Sequence, residues 1–296
     1  MANTFITPTE IAQYSLAVLW DELVMLPLVS RDFNSEVQAG KGATVTYRKD
    51  PTLVANDYVA AVGIVTQNLT EASDTIVLNH HKDVSVKVTS LDLTLNIDDF
   101  TRRVIRPAMM PLAAAVDTAI LALRSDITHS VTASAYNAST NPHPSFDLVN
   151  ARRILTTNKV PLAGRRCVVD EYIGAQWLRD DNMIRQDVRG QAASSALADG
   201  ALGRVYGFDN YETGHIDDFV GVGFHPSAFQ FVAAPLALPK GAANAEYMNF
   251  NGLPIRVVYS YDSTYKTDVI SFDLLFGTKT VDANRAVLIN GLNDSV

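Results

Sequence analysis

Cysteine and long apolar runs are scarce in this sequence of 296 residues, and their scarcity limits the class of protein. The single cysteine, Cys167, cannot form an intrachain disulfide, and its RRCVVD setting predicts a buried strand in which the thiol is a core side chain. No apolar run approaches the ~18 residues that span a bilayer, and the first residues lack a signal-peptide pattern. We therefore expect a protein that is made and kept in a cytoplasm, without membrane contact.

The common signatures of catalysis are also missing. Gly40-Lys41-Gly42 has part of the composition of a phosphate-binding loop but lacks its spacing and the hydroxyl residue that follows the lysine. The motifs G-x-S-x-G, H-E-x-x-H and C-x-x-C do not occur. The sequence thus predicts no enzyme, no catalytic residue and no bound cofactor.

Two histidine groupings are weak candidates for a metal site. His80 and His81 are adjacent on a predicted strand, where neighbouring side chains point to opposite faces and do not easily share one ion. His215 stands close to Asp217 and Asp218, but a polar loop between strands has the same composition. We predict that neither grouping binds a metal.

Charge and hydropathy indicate an ordered protein with much buried surface. The net charge of −8 argues against a protein that wraps nucleic acid by neutralising phosphates. Charged residues make up 19% of the chain and hydrophobic residues 47%, with a mean hydropathy of +0.06. Such an apolar composition is typical of subunits that bury part of their surface against neighbours.

The segment 97–126 has the longest helical period and is predicted to be a spine helix. Its apolar stripe consists of Ile105, Met109, Leu112, Val116, Ile120 and Leu123. Asp98 and Asp99 precede Arg102 and Arg103 by four residues each, so that pairing and capping are expected to stabilise the first turns. Pro107 and Pro111 predict a short first segment that ends near Arg106, followed by a bend and the main helix.

Asp117 is unusual because it stands in an alanine-rich part of this helix without a basic residue four positions away. We expect its carboxylate to hydrogen-bond or pair with a group from another segment. The prediction is a buried or interfacial tether and not a catalytic residue.

An amphipathic arm precedes the spine. Thr9 can cap a helix whose apolar face consists of Ile11, Leu16, Leu19, Leu23 and Leu26, up to a break at Pro27. Trp20 adds a large apolar surface. This face needs either the core of its own subunit or a neighbouring subunit, and we choose Trp20 and Leu23 as interface candidates.

The rest of the chain alternates between strands and helices. A period of two begins after Gly40 and predicts a long two-stranded excursion that ends near Val88, with a register slip at Thr89 and Ser90. The polar segment 129–145 is predicted to be a loop. The following elements are a helix (146–160), a strand (165–170), a helix (171–181), a hairpin with its turn at 262–267, and a final strand (281–289).

This order of parts resembles the major capsid protein of tailed bacteriophages, whose fold is named after phage Hong Kong 97. The segments LADGALGRVYGFDNYET, GFHPSAFQFVAAPL and NGLPIRVVYSYDSTYKTDVISFDLLFGTKTVDANRAVLI are similar to segments of the coat-protein branch of that family. The resemblance implies an α+β fold with four parts. These are an N-terminal arm (1–40), an extended loop (41–89), a peripheral domain (90–145 and 246–275) and an axial domain (146–245 and 276–296).

The resemblance also implies a function. The chain would assemble with itself, as pentamers and hexamers, into an icosahedral shell that encloses double-stranded DNA, with a portal protein as a partner. The alternatives are a bacterial nanocompartment shell of the same fold, which packages protein, and an α/β enzyme with an unrecognised site. The chain begins almost directly with the arm, so we expect a separate scaffolding protein, and we expect arm deletion to abolish assembly while the body stays folded. The loop 41–88 is expected to be loose in the free subunit.

Overall fold

A computed structural model describes residues 8–32, 44–49, 53–58, 60–61, 63–69, 72–88, 101–137, 139–141, 143–184, 200–216, 219–239, 244–250, 252–262 and 267–290. The helices are α1 (Pro8–Glu22), α2 (Arg106–Leu121), α3 (Phe146–Thr157), α4 (Glu171–Trp177) and α5 (Asp181–Ile184). The strands are β1 (Thr44–Lys49), β2 (Ala72–Val77), β3 (His80–Val88), β4 (Ser130–Thr132), β5 (Arg166–Val169), β6 (Gly203–Val205), β7 (Phe208–Glu212), β8 (Gly221–Phe224), β9 (Phe229–Ala234), β10 (Asn244–Phe250), β11 (Leu253–Asp262), β12 (Thr267–Thr280) and β13 (Ala286–Asn290).

The largest core of the described residues forms between helices α1 and α2 and a five-stranded sheet. The strands have the order β10-β11-β12-β3, and the far end of the long strand β12 pairs with β9. In the middle of β12 every second residue points into this core, and these four side chains are fully buried: Ile270, Phe272, Leu274 and Phe276. The alternation of the sequence therefore places one face of β12 against the two helices.

The second core lies in a six-stranded sheet with the order β4-β13-β8-β5-β7-β6. Helix α3 packs on β4 and β13, and α4 follows β5 directly. Cys167 is fully buried on β5, as its sequence setting predicts, and burial raises the pKa of its thiol. An unreactive core thiol is the consequence.

Strand pairing crosses two of the boundaries expected between a peripheral and an axial domain. Strand β4 belongs to the six-stranded sheet, although it lies in the segment 90–145, and β9 belongs to the five-stranded sheet, although it lies in 146–245. The segment 129–145 is consequently not only a loop. The division into four parts stays a prediction, and β4 and β9 pair across the boundary between its two domains.

The spine is helical throughout its described part. A π-helical turn at Thr101–Ile105 leads into α2, and a 3-10 turn at Ala122–Asp126 ends it. The π-helical turn gives way to the regular α-helix at Arg106, which matches the predicted end of the first segment. Pro111 lies inside α2. Five of the six stripe residues are buried, and Leu123 packs on the same core. The acidic start at Asp98 and Asp99 and the register slip at Thr89 and Ser90 lie outside the described residues.

One sequence expectation about this helix is wrong. The stretch Arg103–Asp126 is long and apolar enough to cross a bilayer, with a mean hydropathy of 1.4 over 18 residues, although no such run was expected. Half of that window is buried inside the subunit, where it packs on α1 and the five-stranded sheet. A core helix of a folded domain has the same length and composition, so this helix gives no reason to expect a membrane protein.

The expectation of an interface role for the arm also needs correction, because the apolar face of the arm is part of the core of its own subunit. Helix α1 packs on α2, β10 and β11. The five residues of the predicted face are all buried, and Leu23 and Leu26 lie beyond the end of α1 in the turn that follows it. The expectation that the body folds without the arm is therefore not supported, since deletion would expose the core that α1 covers.

Candidate subunit interface

The extended loop begins with a two-stranded antiparallel sheet, β1 and β2, that packs on the body. Val45, Tyr47 and Ile76 point inward from this sheet and form a small core with Val232 and Ala234 of β9. Strand β3, the expected continuation of the excursion, instead pairs along β12 as the edge of the five-stranded sheet. The base of the loop is therefore attached to the body, which corrects the picture of a ribbon that is loose as far as Val88.

Charged groups reinforce this attachment. Asp74 on β2 forms an ion pair with Lys279 on β12 and another with Lys49 on β1 at 2.9 Å. The Lys279 ammonium also donates to the Thr75 carbonyl over 2.8 Å. The hydrogen bonds that Asp74 accepts from Lys279, from Lys49 and from the Thr75 amide hold its pKa well below its usual range. Burial and the neighbouring Asp74 charge raise the pKa of Tyr47 to about 12.

A close backbone approach fixes where β2 crosses β12. A Cβ atom at Gly277 would lie 2.3 Å from the Val77 carbonyl oxygen, far inside van der Waals contact. Only glycine fits at this position, because the obstruction is backbone and cannot rotate away. Gly277 thus sets how closely the end of β2 approaches the body.

The tip of the loop is different, because it exposes its apolar side chains. Six of them are between 58% and 80% exposed: Leu53, Val54, Tyr58, Ile64, Val65 and Leu69. The two halves of the tip are joined by Gln67, whose side-chain oxygen accepts from the Val54 amide at 2.9 Å and whose side-chain amide donates back to the Val54 carbonyl. Such a cluster of exposed large apolar side chains is typical of a surface that another molecule covers.

Asp117 has the partners outside the spine that its burial requires. Its two carboxylate oxygens accept from the Val24 amide at 2.9 Å and the Met25 amide at 3.0 Å, in the turn after α1. Burial raises the pKa of Asp117, and these backbone hydrogen bonds act in the opposite direction. The carboxylate therefore joins the arm to the spine within one subunit, as a structural residue.

The other candidates lie in different surroundings. Leu23 is buried next to the amides that Asp117 binds, so these two candidates meet at one place. Trp20 is half-buried against the larger core, and the Arg31 guanidinium lies 5.1 Å from the centre of its ring. Arg103 is exposed, and nothing is described for the Arg102 side chain. Their expected acidic partners lie outside the described residues. The structure adds a pair that the spacing did not indicate, Arg106 with Glu22 of α1 at 3.2 Å.

The two histidine groupings show no metal geometry where they can be followed. His80 stacks on Phe276 at 5.0 Å between ring centres, and His81 lies 3.8 Å from Asp273. His215 is described, whereas Asp217 and Asp218 are not. Within the described ranges, no group of three or more histidine, cysteine, aspartate or glutamate residues is placed to hold a metal ion.

The comparisons with known proteins identify the fold. No protein-family model matches the chain, and no curated sequence does. A solved structure from Mycobacterium phage Che8 matches with a TM-score of 0.65 and 22% identity, over 90% of this chain and 91% of that one. The capsid of cyanophage P-SCSP1u matches with a TM-score of 0.58 and 14% identity, over 86% and 85% of the two chains.

A third solved structure extends the likeness beyond phages. The virus-like particle from Pyrococcus furiosus matches with a TM-score of 0.55 and 10% identity, over 95% of this chain and 98% of that one. In each of the three pairs the matched part is at least 85% of both chains. The chain therefore has the phage capsid fold along nearly its whole length, and the α+β fold expected from its sequence is confirmed.

Proposed function

We propose that this chain, which has the fold of phage capsid subunits, is a major capsid protein. It would assemble with itself into an icosahedral shell, as pentamers and hexamers, around double-stranded phage DNA. The enclosed DNA is held without sequence-specific binding, in keeping with the net charge of −8. The protein acts as a structural component of the virion and not as an enzyme, and assembly takes place in the cytoplasm of the host.

The exposed tip of the extended loop is the observation that carries this proposal. Its base is attached to the body by the Asp74 ion pairs, so the tip projects from a fixed root. Ile64 and Tyr58 are 80% and 71% exposed, and a subunit in solution gains nothing from this arrangement. A neighbouring subunit that covers the tip would gain roughly 25 cal/mol for each Å² of apolar surface removed from water, before ordering costs.

A charge scan of the tip tests the proposal. Ile64→Asp places a charge on the apolar surface, and the matched control Thr66→Asp adds the same charge to an exposed polar neighbour. We expect both variants to give folded subunits with unchanged melting temperatures. Electron microscopy should then show shells for wild type and Thr66→Asp, and subunits without shells for Ile64→Asp. Normal shells from Ile64→Asp would contradict the role of the tip.

The contents of the shell distinguish the two functions that this fold supports. The likeness to the virus-like particle from Pyrococcus furiosus, which covers 95% of this chain, is compatible with a nanocompartment shell as the second candidate. Nuclease protection and mass spectrometry of purified particles decide between DNA and protein cargo. Protected DNA of uniform length supports the capsid function, and one abundant enclosed protein supports the compartment.

The partners of assembly are part of the same proposal. Identical subunits in pentamers and hexamers have different neighbours, so closure at one size needs guidance, which we assign to a separate scaffolding protein. A portal protein would occupy the site of DNA entry. Expression of this chain alone should give few closed shells of uniform size, and uniform shells from the single gene would contradict the need for a scaffold.

A further inference from the structure

A polar cleft of about 720 Å³ lies where the two cores meet, away from the loop tip. It forms between the turn after α1, the start of β5, the corner between β8 and β9, and the turn between β10 and β11. Two arginines from separate elements line it, Arg31 and Arg166, together with His225 and the serines at 30 and 227. A large cleft lined by cationic groups from separate elements is a candidate ligand site.

Arg166 carries a positive charge that no described carboxylate neutralises. One of its terminal nitrogens donates to the Pro27 carbonyl at 3.1 Å. No carboxylate of the described residues lies within ion-pair distance of its guanidinium. Asp209, which lies opposite Arg166 on the paired strand β7, forms an ion pair with Arg204 instead. The guanidinium therefore keeps donors for a further acceptor.

The preceding residue adds a second positive charge, which acts on His225 of the cleft lining. Arg165 is 1% exposed, and its guanidinium donates only to neutral oxygens in the described structure. The shortest of these hydrogen bonds are to the carbonyls of Val160, at 2.8 Å, and Pro161, at 2.9 Å. These acceptors follow the carboxyl end of α3, where the helix dipole favours a cation but supplies no full negative charge.

Two more arginines complete the cluster. Arg285 donates to the Ser227 hydroxyl at 2.7 Å and pairs with Asp282 at 3.0 Å, while Arg31 is next to Asp32 in the chain. Burial and the charges of the nearby Arg285, Arg165 and Arg166 lower the pKa of His225. Burial and the charge of Arg166 also lower the pKa of Arg31, so the two arginines that line the cleft act on each other.

We propose that this cleft binds a phosphate group, with Arg31 and Arg166 as its principal donors. An anion that enters offsets a repulsion between arginines that the fold leaves in place. A phosphate suits the cleft better than a carboxylate, because its oxygens point in several directions and can meet donors from different elements, whereas a carboxylate has two oxygens in one plane. The phosphate belongs either to free inorganic phosphate or to a nucleic-acid backbone.

Calorimetric titration of the full-length protein with inorganic phosphate tests the proposal. The ionic strength is kept constant with chloride, so that general screening does not contribute. We expect saturable binding with a dissociation constant of about 1 mM or lower. Arg166→Gln and Arg31→Gln should each weaken binding about tenfold, since each removes a charged donor. The matched control Arg153→Gln removes an exposed arginine of α3 outside the cleft and should bind like wild type.

Circular dichroism and melting curves without phosphate show whether each variant is folded. If Arg166→Gln does not fold, Arg31→Gln provides the test. Titration with a short DNA duplex distinguishes the sources of phosphate. Duplex binding that Arg166→Gln weakens assigns the site to a nucleic-acid backbone, and binding of inorganic phosphate alone assigns it to the free ion. Absence of saturable phosphate binding, or equal affinity in folded glutamine variants and wild type, would overturn the proposal.

Discussion

The arm and the tip of the extended loop are both rich in apolar side chains, yet the subunit buries one and exposes the other. Leu19 of α1 is fully buried, whereas Leu53 of the tip is 58% exposed. In α1 the apolar residues recur at helical spacing and form a stripe that packs against α2. The tip has no such period, and its main internal link is the pair of hydrogen bonds between Gln67 and Val54.

The comparison shows that the number of apolar side chains in a segment does not indicate whether its own subunit or another chain covers them. A terminal helix with one apolar face can complete its own subunit, as α1 does, and the interface role expected for Leu23 gives way to a core role. In an irregular loop the same kinds of side chain do not form one continuous face that could pack on the core of the subunit. It becomes a candidate for contact with another chain because the subunit leaves it uncovered.

The largest effect should follow deletion of residues 1–30. Within the described part of this segment, 8–30, nine buried apolar residues would be lost: Ile11, Ala12, Leu16, Leu19, Leu23, Met25, Leu26, Leu28 and Val29. Large buried side chains each contribute about 2–5 kcal/mol in truncation experiments, and total stabilities are only about 5–15 kcal/mol. The deleted chain should show no cooperative melting transition. A cooperative transition near that of the full chain would show that the arm is dispensable for folding.

A matched pair of leucines measures the same contrast at single residues. Leu19→Ala should lower the free energy of unfolding by about 2–5 kcal/mol, since it leaves a cavity between α1 and its neighbours. Leu53→Ala should change it by less than about 0.5 kcal/mol, because the side chain already contacts water. Urea denaturation of unassembled subunits gives both values. Equal losses would mean that the tip is covered within the subunit.

The tether between arm and spine should have an intermediate effect. Asp117→Ala leaves the amides of Val24 and Met25 without an acceptor and should cost about 1–3 kcal/mol. Asp117→Asn should cost less, since its amide oxygen still accepts one of the two hydrogen bonds. A melting temperature of Asp117→Ala equal to that of wild type would contradict the role of this tether.

The pH dependence of the tether has a defined sign. Because burial raises the pKa of Asp117, its contribution to stability declines as the pH rises from the ordinary value of 3.8 through the raised pKa. Asp117→Asn removes this dependence. The difference in stability between wild type and Asp117→Asn should therefore vary with pH in that window, and a constant difference would show that the carboxylate does not titrate as proposed.

The smallest effect on global stability should come from the root of the loop. Asp74→Asn weakens the ion pairs with Lys279 and Lys49, which are partly exposed, and should cost less than about 1 kcal/mol. Limited proteolysis should cleave wild type within 53–69 and the variant also within 44–49 and 72–77. Asp57→Asn, in the exposed tip, is the matched control. Cleavage of wild type throughout the loop would show that its root is not attached.

Acid should loosen the same root. Because lysine hydrogen bonds lower the pKa of Asp74, its stabilising contribution is present above the ordinary carboxyl value of 3.8 and is lost as the pH falls further through the lowered pKa. Asp74→Asn should abolish this acid sensitivity of the loop, which tyrosine fluorescence of Tyr47 or hydrogen exchange in β1 and β2 can follow. Equal acid sensitivity in the variant would assign the effect to another group.

The sequence by itself determined the regular elements and the need for certain contacts. The helical stripe of the spine, the buried strand at Cys167 and the hairpin of β11 and β12 all follow from periodicities of 3.6 and 2 residues. The burial of Asp117 in an apolar helix required a partner from elsewhere, and the amides after α1 supply it. These features depend on local spacing, which the sequence contains in full.

Only the tertiary structure decided which surfaces meet. The strands β3 and β4 pair with segments far along the chain, β12 and β13, and Lys279 reaches Asp74 across 205 positions of sequence. Periodicity showed that α1 has an apolar face, but the packing of α2 and the five-stranded sheet decided that the subunit itself covers it. The cationic cleft likewise exists because β5, the turn after α1 and the corner at His225 converge, and no spacing along the chain predicts that convergence.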